Sequence, residues 1–113
     1  MTPQAKTLPA IPSAPGAFLQ LIEFRTDRPA EMETIVDRWL TAIGAGRTAR
    51  WYITAADQDR ANTYFQLVEF PNYAEAMANS EHPATAEFAA AVNQISTQEL
   101  IFRNLDVTVA RRL

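Results

Sequence analysis

The sequence predicts an α+β domain, with a four-stranded antiparallel sheet and both helical segments on one face, in the chain order β-α-β-β-α-β. Three observations predict it. An apolar seven-residue pattern occurs twice, as Phe18-Leu19-Gln20-Leu21-Ile22-Glu23-Phe24 and as Tyr64-Phe65-Gln66-Leu67-Val68-Glu69-Phe70. Each copy runs into a helix-start signal, Thr26-Asp27 after the first and Asn72 after the second. A stripe of helical period follows each start, and a further alternating stretch follows each stripe. Gln, Leu, Glu and Phe are identical in the two copies and the other three positions match in kind, which is the mark of a duplicated strand–helix unit.

Residues 1–16 carry Pro3, Pro9, Pro12 and Pro15, a density that prevents regular ladders and favours an extended arm, loosely ordered or laid on a partner through Leu8 and Ile11. Residues 17–113 form the domain. The first strand spans 17–25. Asp27 is a helix cap by type and Pro29 suits the first turn, where its missing N–H costs nothing. Met32, Ile35, Val36, Trp39, Leu40 and Ile43 recur at three- and four-residue steps, and Gly44 and Gly46 end that helix. Residues 47–56 alternate as the second strand, with Ala49, Trp51 and Ile53 on one face and Arg50, Tyr52 and Thr54 on the other. Polar residues 57–62 connect it to the second copy of the pattern, which is the third strand. Asn72 with Glu75 begins the second helix in the manner of a capping box. Pro83 interrupts that helix, which resumes through Phe88, Val92 and Ile95. Residues 98–110 form the last strand.

Composition excludes several classes of function. With no cysteine there is no disulfide, thiolate nucleophile or cysteine-based metal site, and one histidine makes any metal centre improbable. A net charge of −3 without a basic run speaks against nucleic acid. No apolar stretch approaches the length of a membrane span, and the first residues lack the apolar region of a signal peptide, so a cytoplasmic protein is expected. No phosphate-binding loop and no Ser/His/Asp set is present. No cofactor is expected.

The duplication also predicts an assembly. In this strand order the two repeat strands are central, and both are apolar on both faces. Two helices cover one face. The other carries Leu19, Leu21, Phe65, Leu67, Ile101, Leu105 and Val107, a patch larger than the roughly 300–600 Å² that monomers leave wet. A homodimer with the two sheets face to face is expected. The same face is expected to hold two equivalent ion pairs, Glu23 with Arg103 and Glu69 with Arg50, whose arginines keep the carboxylates ionised and so argue against a general base.

The stretches Phe65-Gln66-Leu67-Val68-Glu69-Phe70-Pro71, Ala76-Met77-Ala78-Asn79-Ser80 and Phe102-Arg103-Asn104-Leu105-Asp106-Val107, together with the strand order, resemble the ferredoxin-like dimeric α+β barrel superfamily. Within it the chain looks like small bacterial proteins related to antibiotic-biosynthesis monooxygenases. The resemblance covers about residues 17 to 110. It implies a pocket between helices and sheet, and a cofactor-independent monooxygenase-like activity on a hydrophobic aromatic molecule. A non-catalytic dimeric binding or accessory protein is the other reading. Haem-degrading relatives carry an Asn on the first strand and a Trp on the second helix. Gln20 stands at the strand position and that helix has no Trp, so haem breakdown is not expected.

The candidate catalytic residues are His82, Trp51 and Asn104. The candidate substrate-binding residues are Gln20, Gln66, Tyr64, Tyr73, Asn79 and Trp39. Each has a plainer reading. His82 precedes Pro83 and suits a cap of the resumed helix or a solvent-facing place. Trp39 falls in the apolar stripe and is expected in the core. Trp51 is core by alternation, or the floor of a pocket with its N–H inward. Gln20 and Gln66 are polar groups in apolar rows, and buried they need partners: each other, a backbone group, or a ligand.

Overall fold

The computed structural model describes residues 13–113. The Pro-rich arm expected over 1–16 lies for the most part outside the described residues. The elements are β1 (Phe18–Arg25), α1 (Ala30–Ile43), β2 (Trp51–Ala56), β3 (Thr63–Phe70), α2 (Tyr73–Glu81), α3 (Pro83–Ile95) and β4 (Ile101–Asp106), with one 3-10 turn at Gly44–Gly46. The sheet runs β2-β3-β1-β4 with every neighbouring pair antiparallel. The duplicated strands are central and β2 and β4 are the edges, as the sequence predicts.

Leu21 and Leu67 occupy the same position in the two copies and are also register partners. A pseudo-twofold axis therefore passes between them, normal to the sheet. On the helix side, β1 presents Phe18, Gln20, Ile22 and Phe24, and β3 presents Phe70, Val68, Gln66 and Tyr64 opposite them in that order. Phe24 packs with Met32, Ile35 and Val36 of α1 and with Val92 and Ile95 of α3. Phe18, Phe70, Ala49 and Ala76 form a second cluster toward α2. Full burial of one such large side chain is worth about 1.5–3 kcal/mol, so these clusters fix which face the helices cover.

Local signals explain most boundaries. Asn72 accepts the Glu75 N–H through Oδ1 at 2.9 Å and starts α2. Pro83 occupies the first turn of α3, so the break predicted there is a boundary between two helices. The start of α1 is different from expectation. Asp27 is exposed and caps nothing; Pro29 holds the cap position with no side-chain bond. Thr26 does the work nearby: its buried Oγ1 accepts the Arg28 N–H at 2.9 Å and donates to the Ile95 carbonyl at 2.6 Å, tying the strand exit to the end of α3.

The second strand also departs from simple alternation. Ala49 is buried on the helix side, and Tyr52 packs there too. Two residues separate them where regular pleating allows one. The Arg50 amide bonds the Glu69 carbonyl at 2.8 Å while Trp51 is the register partner of the same Glu69. Arg50 and Trp51 thus share one position opposite Glu69, a β-bulge. Beyond it every side chain is on the opposite face from the one alternation predicts. Trp51 and Ile53 belong to the face away from the helices, and Tyr52 and Thr54 to the helix face.

The face away from the helices carries Leu19, Leu21, Phe65 and Leu67, all half-buried, beside exposed Ile53, Ile101 and Leu105. One of the two expected ion pairs forms there: Arg50 Nε donates to Glu69 Oε1 at 2.7 Å. The other does not. Arg103 is opposite Leu21, and Glu23 is opposite Ile101 and pairs instead with Arg60 of the β2–β3 turn at 3.5 Å.

Candidate functional site

A cavity of about 1180 Å³ lies between the sheet and the helices. Pockets for small molecules commonly fall at about 300–1,000 Å³, so this is ample for a polycyclic ligand. Its floor is the middle of the sheet: Gln20, Ile22, Gln66, Val68, Tyr52 and Thr54. Its roof carries Val36, Trp39 and Leu40 from α1, Met77 from α2, and Phe88 and Val92 from α3, with the polar side chains of Asn79, Ser80 and Thr85 among them.

The two glutamines of the duplicated pattern are the carboxamides of that floor, beside the hydroxyls of Tyr52 and Thr54. Gln66 is 2 % exposed and Gln20 is half-buried. Neither carboxamide hydrogen-bonds a described residue, so the mutual bond or backbone cap that would have made them structural is not formed. Among the described residues the enclosed side-chain atoms without a partner are Ser13 Oγ and Glu69 Oε2, so the Gln66 amide opens on the cavity, where water or a ligand can satisfy it.

Trp39 ties the roof together. Its indole N–H donates to Thr85 Oγ1 at 3.1 Å, and its ring centroid is 5.9 Å from that of Phe88, so α1 and α3 are bridged above the cavity. Asn79 lines the cavity but is engaged: its Oδ1 accepts the Thr48 N–H at 3.3 Å, and Thr48 Oγ1 donates to the Glu75 carbonyl at 2.6 Å. This pins α2 to the segment before β2.

Tyr52 is the residue that sequence reading missed. The bulge places it on the helix face, where its hydroxyl donates to Glu33 Oε1 at 2.9 Å. Partial burial, then the bond to Glu33, then the charges of Glu33 and Asp37 push its phenol up to about 12. Tyr52, Glu33 and Asp37 all line the cavity at the α1–β2 side, with Arg47 nearby in the lining. No alternation rule finds Tyr52, because the signal is the extra residue between Ala49 and Tyr52.

Other candidates fall elsewhere. Trp51 faces away from the helices and joins the lining at the bulged end, with Arg50 and Glu69, so it does not floor the middle of the cavity. Asn104 does belong to the helix side, opposite Gln20, but is exposed on the edge strand and outside the lining. Tyr64 stacks on Phe24 at 5.6 Å and Tyr73 meets Phe18 edge-on at 5.6 Å; neither lines the cavity. His82 is outside it too. Its Nδ1 accepts the Ala84 N–H at 3.0 Å, which caps α3, and its ring lies against Gly46. A Cβ on Gly46 would stand 3.1 Å from His82 Cδ2, so a side chain there would make the imidazole shift by a few tenths of an ångström. Among the described residues no group of His, Asp and Glu could hold a metal ion, and no helix is long and apolar enough to cross a membrane.

No family model and no curated protein matches the sequence. Solved structures do match the fold. SnoaB, a cofactor-independent oxygenase from Streptomyces nogalater, superposes with a TM-score of 0.68 at 15% identity, over 81% of this chain and 93% of SnoaB. A candidate antibiotic biosynthesis monooxygenase from Caulobacter crescentus CB15 gives 0.69 at 12% identity, over 84% and 92%. Rv0793 from Mycobacterium tuberculosis gives 0.65 at 14% identity, over 82% and 96%. Identities this low establish architecture alone: the chain has a ferredoxin-like α+β fold.

Proposed function

We propose that the chain is a cofactor-independent, monooxygenase-like enzyme that takes a hydrophobic aromatic molecule into the helix–sheet cavity. The observation that carries the reading is the cavity itself: a largely apolar, aromatic roof over a floor whose carboxamides bond no other described residue. The likeness to SnoaB supports the reaction class. In such a reaction an activated ring CH₂ and O₂ give a ring carbonyl and water; the electrons come from the substrate's own anion. The protein's part is to exclude water, hold the ring flat beneath Trp39 and Phe88, and orient its oxygens. Contact falls to Gln20, Gln66 and Trp39. His82 and Asn104 are left with no part in contacting the substrate.

The assembly we propose is a homodimer closed through the face away from the helices. Exposed Ile53, Ile101 and Leu105 around half-buried Leu19, Leu21, Phe65 and Leu67 make a patch of the kind that marks an interface.

An oxygen electrode with anthrone and a panel of polycyclic phenols tests the activity. One O₂ consumed per ring carbonyl formed is the expected result, and Trp39→Ala lowers the rate. Binding without oxygen uptake would make the chain a non-catalytic binding or accessory protein. Neither binding nor uptake would remove the reading.

A further inference from the structure

We infer that residues 1–12 are a built-in plug, an arm that docks in polyproline II form along the helix–sheet cavity of its own chain and competes with any hydrophobic ligand for it. The inference goes beyond the aromatic-ligand reading, because it concerns what closes the cavity when no ligand is there.

The place of attachment comes first. Ser13 and Ala14, where the described chain begins, both belong to the cavity lining. Gly16, with a φ of 93°, turns the chain just ahead of β1. Across that turn the Ala17 N–H donates to the Ala14 carbonyl at 3.0 Å, and the Gly16 N–H donates to the Val107 carbonyl at 3.1 Å. The turn is thus pinned, and the chain that leads into it departs from the cavity wall. Ser13 Oγ is enclosed and has no partner among the described residues. A hydroxyl so placed needs one, and the arm is the nearest chain that can supply it.

The arm's sequence fits the cavity in period, chemistry and charge. Pro3, Pro9, Pro12 and Pro15 favour polyproline II, in which residues three apart share a face. Ala5, Leu8, Ile11 and Ala14 are three apart, so the face that ends on Ala14 in the lining also carries Leu8 and Ile11. At about 3.1 Å per residue Leu8 stands about 19 Å from Ala14. The domain is about 35 Å across, so the arm reaches through the cavity. Proline-rich segments dock in grooves lined by aromatic rings, and the roof presents Trp39 and Phe88 with centroids 5.9 Å apart. The prolines also lower the entropy lost on docking, since the free arm is already restricted. Lys6 is the one charged side chain of residues 1–12. Among the charges of the lining Arg50 is paired with Glu69, and two carboxylates, Glu33 and Asp37, face one guanidinium, Arg47. That surplus of negative charge suits Lys6.

The test uses full-length chains and the neutral fluorescent dye N-phenyl-1-naphthylamine. A cavity closed by the arm lowers the dye's apparent affinity in proportion to the fraction left open. The double variant Leu8→Asp with Ile11→Asp should bind the dye about tenfold more tightly than the unaltered chain, and Lys6→Glu about threefold. Equal affinity in the three chains would overturn the inference and leave the aromatic-cavity reading standing. Dye bound by none of them would count against the aromatic-cavity reading alone, because a second measurement needs no dye. The chain has no cysteine, so Thr7→Cys takes a single nitroxide label. The label should broaden the NMR signals of Trp39, Gln66 and Met77 more than those of Ile101 and Leu105 on the opposite face. Equal broadening of the two sets, or none, would overturn the inference. Broadening of the cavity signals in an isotope-enriched chain without nitroxide, mixed with a labelled chain, would overturn it too: the arm would then lie in a neighbouring copy.

Discussion

Arg50 Nε lies 2.7 Å from Glu69 Oε1, in a pair whose two members have opposite surroundings: the Glu69 side chain is wholly enclosed and half of the Arg50 side chain is in solvent. Glu69 Oε2 has no hydrogen-bond partner among the described residues. The carboxylate therefore depends on one guanidinium. Arg50→Met should destabilise the fold by about 3 kcal/mol, because it leaves an enclosed charge without compensation. Glu69→Gln should cost less. The double change Arg50→Met with Glu69→Leu should recover much of the loss, since no charge is then left behind. Urea unfolding of the three variants checks the order.

Tyr52 predicts the alkaline limb of stability. Its phenol is raised in the folded chain from about 10 to about 12. Between those values the folded chain holds the proton and the unfolded chain releases it. Stability from this group is thus fully present below pH 10 and is lost as pH rises toward 12. Tyr52→Phe should remove that part of the slope and, at neutral pH, cost about 1 kcal/mol for the lost bond to Glu33. Thermal melts across pH 9–12 read both effects.

His82 separates a capping role from a chemical one. Its Nδ1 accepts the Ala84 N–H. Asparagine is a good cap, so His82→Asn should keep stability within a few tenths of a kcal/mol, whereas His82→Ala should lose about 1 kcal/mol. Oxygen consumption per folded molecule should be the same in both. A large fall in turnover for a stable His82→Asn chain would restore the histidine to the chemistry.

The exposed face predicts the assembly. Leu67→Asp places a charge beside the axis, on the side away from the helices. Sedimentation velocity at micromolar concentration should show a dimer for the unaltered chain and a monomer for the variant. A monomer in both cases would remove the proposed interface.

How much of this was legible beforehand depended on how local the signal is. The duplication, the central place of its two strands, the Asn72 cap and the break at Pro83 are written in short stretches, and the structure has them all. The faces of β2 were not legible. One extra residue at Arg50–Trp51 inverts the pattern after it, and the extra residue looks like ordinary alternation in the sequence. Alternation puts Trp51 on the face of Ala49 and Tyr52 on the other, each the reverse of what the register gives. Glu23 shows a second limit. Its arginine comes from the β2–β3 turn, which strand order alone cannot bring near. The glutamines are legible as oddities in an apolar row, but that they bond no other described residue follows only from how the helices pack on the sheet.

The order β2-β3-β1-β4 keeps the two strands of each duplicated half apart: β1 does not touch β2, and β3 does not touch β4. Every ladder crosses from one half to the other. During synthesis, then, the first half can make its helix on leaving the ribosome but no piece of sheet, and residues 18–56 must wait in an unpaired state until Thr63–Phe70 emerges to receive them.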